Sequence, residues 1–253
     1  MNVCFIYSPN WLKHVYVELY ALLATNPQTA RVYLLSDAAG APSSAWCDWA
    51  AARGCELRFL DLDARYQQLV TTPKSIGRFS KYALYRLLIP EVIPEERLLY
   101  VDTDALVTGD LSDLYAADLT DCDVVGVRDT GIKPQQLKSI GLPADHAYIN
   151  AGVMLMNLQR IRQRDLMPRW LDLINTKALS CFDQDCINLT CDIRLADPVY
   201  NASICTGLPP LEQVKIAHYA GHLAEKGWCG RLSPLHNLWA EWEERYDADS
   251  THP

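Results

Sequence analysis

No run of about 18 apolar residues occurs in this chain, so no transmembrane helix is expected. The longest candidate, residues 149–158, is too short and is interrupted by Asn150, Gly152 and Asn157. The opening Met1-Asn2-Val3-Cys4-Phe5-Ile6-Tyr7 lacks the basic region and long apolar stretch of a signal peptide and reads as a first strand. Basic residues are in deficit: 23 Lys and Arg stand against 31 Asp and Glu, for a formal net charge of −8. That balance argues against a nucleic-acid backbone or an integral membrane contact as the main partner. Arg86, Lys133, Lys138, Lys215 and Lys226 remain available for a local basic pocket. The nine cysteines include no CxxC pair, and Cys181, Cys186 and Cys191 are too scattered for a standard zinc set. Cys4 and Cys122 lie in apolar runs and read as core thiols. A reduced, cytoplasmic compartment is the simplest expectation. No repeat, low-complexity segment or clean linker is found, and Tyr7-Ser8-Pro9-Asn10 offers no glycine-rich phosphate loop after the first strand, which counts against a nucleotidyltransferase.

What is present is a large core. The 253 residues are 49% hydrophobic, enough for one large domain. Strands are expected at 3–7, 31–35, 57–60, 98–101 and 123–127, and helices at 11–25, 43–53 (closed by Gly54) and 80–88, stopping before Pro90. Their alternation predicts an α/β fold, a mostly parallel Rossmann-like sheet with helices on both faces. Residues 129–148 read as a long loop with one helical turn. The apolar stretch 149–158, a helix over 160–174, a helix over 182–190, a strand over 215–220 and an amphipathic helix over 235–246 follow, and 247–253 is expected to fray. The whole reads as one domain, 1–253, with a nucleotide-binding half over 1–128 and a sugar and acceptor half over 129–246.

The most informative feature is Asp102-Thr103-Asp104, at the end of the apolar run Arg97-Leu98-Leu99-Tyr100-Val101. Ligands of open α/β sheets bind beyond the carboxyl ends of the strands. Two acids there can hold a divalent cation, and the cation a diphosphate. Two solvated acids opening a loop are the alternative. Three further segments combine with it: Asn150-Ala151-Gly152-Val153-Met154-Leu155-Met156-Asn157, Asp183-Gln184-Asp185-Cys186-Ile187-Asn188, and His218-Tyr219-Ala220-Gly221 with Lys226 and Trp228 shortly after.

In this order and at these separations, the four segments resemble the signature of the family-8 glycosyltransferases, which include bacterial lipooligosaccharide α-galactosyltransferases and glycogenin. The resemblance covers nearly the whole chain. It implies the nucleotide-sugar transferase type A fold and a UDP-sugar, UDP-glucose or UDP-galactose, as donor. It also implies Mn²⁺ or Mg²⁺ on Asp102, Asp104 and His218; one imidazole among oxygen donors suits Mn²⁺ better. Gly221 and Lys226 would meet the diphosphate, although the loop from Gly221 to Lys226 is longer than the family's and lacks its Pro-Trp. His222 in that loop has no legible role. At the first strand, Tyr7, Ser8, Asn10 and Trp11 stand where the family grips uracil, with Ser8 replacing an acid; Trp11 is equally suited to be the first core residue of its helix. Arg86, inside an otherwise apolar helix face, matches a donor-binding arginine and needs an anionic partner, Asp102 or Asp104 among the candidates. Thr103, Asn150, Ala151, Gly152, Asp183 and Gln184 complete the donor site.

The family retains anomeric configuration. A double-displacement route would need a carboxylate nucleophile, whereas Gln184 can stabilise oxocarbenium-like charge. Front-side displacement assisted by Asp183 and Gln184 is therefore the implied catalysis, with Asp185 turned toward backbone. Asp183 and Asp185 also suit a helix N-terminus on structural grounds alone. The acceptor is a glycan, peptide or protein. The chain ends in Glu241-Trp242-Glu243-Glu244-Arg245-Tyr246 and an acidic tail where bacterial relatives carry a basic, aromatic one, which weakens the case for a lipid-linked acceptor. A non-catalytic nucleotide-sugar sensor or partner subunit is the alternative function.

Overall fold

The computed structural model describes residues 1–70, 81–221 and 235–253. Its strands are β1 (Asn2–Ile6), β2 (Arg31–Ser36), β3 (Glu56–Asp61), β4 (Arg97–Val101), β5 (Ala105–Val107), β6 (Val124–Arg128), β7 (Ile149–Asn157), β8 (Ile193–Leu195) and β9 (Ile216–His218). Seven of them form one sheet in the order β3-β2-β1-β4-β7-β6-β8, and β5 pairs with β9 in a separate ribbon. The sheet is parallel except for β7, which runs antiparallel to both β4 and β6. This is the mostly parallel α/β architecture expected from the sequence.

The near-continuous apolar runs of β1, β2 and β4 follow from burial on both faces. Val3 and Phe5 enter one core with the helices Leu12–Thr25, Ser44–Ala51 and His236–Ala248. Cys4 and Ile6, one residue out of phase, enter the other core with the helices Leu166–Thr176 and Phe182–Thr190. The period-2 alternation of a strand produces this division. Cys4 and Cys122 are buried thiols, as expected, and all eight described cysteines are free. Among the described residues no helix is long and apolar enough to cross a membrane.

Several local expectations are corrected. The helix expected over 160–174 is two, Leu158–Gln163 and Leu166–Thr176, broken where Asp165 takes the left-handed conformation (φ 51°). Asn157 caps the first by accepting from Arg160 N, and Pro168 fits the first turn of the second, where its missing N–H has no role. Pro90 does not stop the chain's helical course but opens the short helix Ile89–Val92. The expected loop 129–148 contains a two-turn helix, Pro134–Ile140, closed by Gly141 at φ 94°. In the last residues, His252 stacks on Tyr246 with ring centroids 4.0 Å apart, and Arg53 donates to Thr251 Oγ1 at 2.9 Å.

Candidate active site and cation site

The carboxyl end of β4 and the amino-terminal half of antiparallel β7 meet at one edge of the sheet. Val101 pairs with Val153, and the next residue, Asp102, donates its N–H to Gly152 O at 2.7 Å. The chain then turns through Thr103 and Asp104 into β5, whose partner β9 places Ala105 opposite His218. Tyr219 N donates to Asp104 O at 2.7 Å, which locks the ribbon onto the turn. A residue over a hundred positions downstream thus arrives beside the two acids.

These residues floor a cleft of about 520 Å³ also lined by Tyr7, Ser8, Trp11, Tyr82, Arg86, Tyr100, Thr103, Asn150, Gly152, Cys181, Asp183, Gln184 and Gly221. His218 Nε2 lies 3.4 Å from Asp104 Oδ1 and 3.9 Å from Asp102 Oδ2, and the three donor atoms fall within 4.8 Å of one another. Ligand atoms around one octahedral Mg²⁺-sized ion sit roughly 3 Å apart along an edge, so the set is close to the size of a cation shell. Two carboxylates and an imidazole at that spacing fit a divalent cation by charge and by donor type.

Arg86 organises the neighbouring acids. It sits where the helix Lys81–Tyr85 passes into a 3-10 turn, and it is buried. Its guanidinium bonds Asp183 Oδ2 and Asp102 Oδ1 and donates to Tyr100 OH at 2.9 Å, stacking 4.4 Å from that ring's centroid. Tyr100 OH also donates to Asp102 Oδ1. Asp102 therefore spends one oxygen on the fold and leaves the other toward His218. The anionic partners of Arg86 are Asp102 and Asp183, and its Nε is buried with no partner. One cation shared by two acids does not offset burial, and the Asp183 carboxyl is pushed up to about 6.

Gln184 is held by three bonds. Its Oε1 accepts from Ala151 N at 2.9 Å, and its Nε2 donates to Asp129 Oδ2 at 3.2 Å and to Tyr148 OH at 3.3 Å. Asp185 faces inward, accepting from Tyr148 OH and Cys181 N. Asn150 and Gly152 line the cleft while Ala151, on the other face of β7, does not. The N–H of Ala151, a residue expected at the donor, donates to Gln184 Oε1. Asn10 also lies outside the cleft lining. It is exposed on the 3-10 turn Pro9–Trp11, because Ser8 and Trp11, three residues apart, share the face that points in. Tyr7 lines the cleft and is itself buried, its hydroxyl donating to Gly40 O at 2.6 Å. Lys226, His222 and Trp228 lie outside the described residues.

Asp129, Tyr148 and Asn201 were missed by sequence reasoning. Asp129 follows the carboxyl end of β6, and the strand-end rule that exposed Asp102 would have found it. Asn201 carries no periodic or motif signal.

Behind the acidic turn lies Glu18, fully buried on the helix Leu12–Thr25, with the Ala105 backbone as the hydrogen-bonding group facing its carboxyl. Burial first, then the charges of Asp104 and Asp102, raise it well above the usual carboxylate range. Its proton is kept on folding, so stability declines as pH rises past the unfolded value of 4.5, by about 1.4 kcal/mol per pH unit until the folded carboxyl ionises. Glu18→Gln is expected to raise the melting temperature at about pH 8 and to lose that advantage by about pH 5. A gap between the two proteins that does not change with pH would show that Glu18 ionises in the fold.

The chain matches the family model described as glycosyl transferase family 8 over residues 2–230. General stress protein A of Bacillus subtilis is 30% identical over 53% of this chain and 48% of its own length. Glycosyltransferase GlyF of Streptococcus pneumoniae is 28% identical over 64% of this chain and 42% of its own. The alignments thus span about half the length of these two relatives. A crystal structure of the galactosyltransferase LgtC with donor and acceptor sugar analogues superposes with a TM-score of 0.77 at 23% identity, covering 100% of this chain and 98% of that one.

Proposed function

Because the chain belongs to glycosyl transferase family 8, we propose that it is a metal-dependent retaining hexosyltransferase. It moves glucose or galactose from a UDP-sugar to a glycan, peptide or protein, forming an α-linkage. The observation that carries this reading is the convergence of Asp102, Asp104 and His218 at the floor of a cleft whose wall holds Arg86, Asp183 and Gln184. LgtC, crystallised with donor and acceptor sugar analogues, supports a two-substrate cleft. Eight free cysteines support a reducing cytoplasm.

A divalent cation bound by the three ligands supplies charge that offsets the negative charge gathering on the departing diphosphate. The protein's own groups do the rest. Arg86 lines the cleft with positive charge toward the diphosphate and keeps Asp183 in place. Asp183 accepts hydrogen bonds from the sugar hydroxyls. Gln184, its amide fixed by Ala151 N–H and Asp129, presents a dipole to the positive charge at the anomeric carbon without being a strong nucleophile. The leaving phosphate oxygen takes the acceptor's proton on the same face. Trp11 and Tyr7 give the uracil flat surfaces, with Ser8 and Thr103 at its polar edge. Lys226 is assigned to the diphosphate on the family resemblance alone.

The test is UDP release from a panel of UDP-sugars without acceptor, with Mn²⁺ or with a chelator. We expect release from UDP-glucose or UDP-galactose that the chelator abolishes. Donor binding that is absent for every UDP-sugar would overturn the uridine assignment, and release indifferent to the chelator would remove the metal.

A further inference from the structure

His218 makes a second polar contact on the side away from the acids: its Nδ1 lies 2.8 Å from Asn201 Oδ1. Which partner donates can be worked out from groups with only one possible role. Gly152 N–H can only donate, and it lies 3.0 Å from one end of the Asn150 amide, which must be oxygen. The other end of that amide is 3.3 Å from Asp129 Oδ2, an acceptor, and must be nitrogen. Asn201 approaches the Asn150 oxygen at 3.0 Å and must do so with its NH₂. Its remaining end, facing His218, is therefore carbonyl oxygen, and it requires a proton on Nδ1. A neutral imidazole protonated at Nδ1 carries its lone pair on Nε2, the atom that faces Asp104 and Asp102.

We propose that Asn201 is the positioning residue for His218: it fixes the Nδ1–H tautomer and so keeps Nε2 ready for a divalent cation. Asn150 and Gly152 set its amide. Asn201 reaches the ring because its neighbour Ala202 pairs with β9, accepting from His218 N at 2.9 Å. Gly152 contributes in a second way. A Cβ at this position would lie 2.2 Å from His218 Cε1 and 2.8 Å from Nδ1, so the ring rests on bare backbone. The inference deepens the metal reading above and rests on it.

Two substitutions separate the roles. Asn201→Asp still accepts from Nδ1–H but cannot donate to Asn150; Asn201→Leu does neither. The readouts are the His218 tautomer, from ring ¹⁵N shifts of the metal-free protein in alkaline buffer, and Mn²⁺ affinity, from paramagnetic resonance of the free ion. The wild type should show the Nδ1–H form. Asn201→Leu should lose the single tautomer and bind Mn²⁺ about 10- to 100-fold more weakly, the usual effect of removing such a partner. Asn201→Asp should bind Mn²⁺ within a few-fold of wild type or tighter, a rescue that a merely structural asparagine would not give. An Nε2–H tautomer in the wild type, unchanged affinity in Asn201→Leu, or equal losses in both variants would overturn the proposal. The wild-type tautomer decides the matter alone if the leucine variant does not fold. A wild type with the Nδ1–H tautomer that binds no Mn²⁺ would overturn the metal reading and with it the role assigned to Asn201, whereas the other failures leave the metal reading standing.

Discussion

Replacing Asp104 with asparagine is expected to weaken Mn²⁺ binding by at least about 100-fold, beyond the usual effect of losing an outer partner, and to remove cation-dependent UDP release with it. The substitution keeps shape and withdraws one negative charge from a three-ligand set. The backbone has its own anchor, Tyr219 N to Asp104 O at 2.7 Å, so the loss falls on the cation and not on the turn. Titration of Mn²⁺ against wild type and Asp104→Asn, with melting curves for both, checks this. Unchanged affinity would remove Asp104 from the ligand set.

Arg86→Met is expected to destabilise the fold by about 3–5 kcal/mol in urea unfolding, the range for breaking a buried ion pair from one side. Two carboxylates, Asp102 and Asp183, would lose their shared cation. The deficit should depend on pH in a particular sense. Asp183, raised from 3.8 to about 6 in the fold, costs the wild type stability as pH rises between those values and nothing further above them. Without Arg86 the carboxyl is raised further, so the decline continues past about 6 and the gap between the proteins widens from there upward. Asp183→Asn in the Arg86→Met background should recover part of the loss. A deficit that is flat in pH would mean the stacking of the Arg86 guanidinium on Tyr100 matters more than its pairing with the acids.

Five strands of the sheet, β1 to β4 and β6, and the two acids were legible because they lie in continuous apolar runs with turn residues after them, whereas 149–158 was read only as an apolar stretch and the three-residue β8 was not expected. His218 was legible only together with the other segments, since a lone histidine after a short strand has no distinguishing pattern. The ribbon of β5 and β9 was not foreseen as a pair: three-residue strands pair through register, which periodicity does not encode. Asn201 was invisible for the same reason, being brought to His218 by the bridge between Ala202 and Ala217. Asn10 and Ala151 lie outside the cleft lining because the 3-10 turn and the strand pleat decide which neighbours face it, which an alignment of positions does not encode. The break at Asp165 depends on a left-handed residue that helix periodicity passes over.

The ribbon that joins Ala105 to His218 closes a loop of more than one hundred residues. Such closures carry a large entropy loss before any contact rewards them, and long-range pairings of this kind slow folding. Asp104 and His218 therefore have no chance proximity in the unfolded chain, which offers only the local pair Asp102 and Asp104 without the imidazole. On the proposed reading, a cation held by these three ligands would discriminate between folded and unfolded chains, and at about 100 times its dissociation constant it would add roughly 2.7 kcal/mol to the native state alone. On the same reading, a chain truncated before β9 would lack His218 and would hold a divalent cation far more weakly than the full fold.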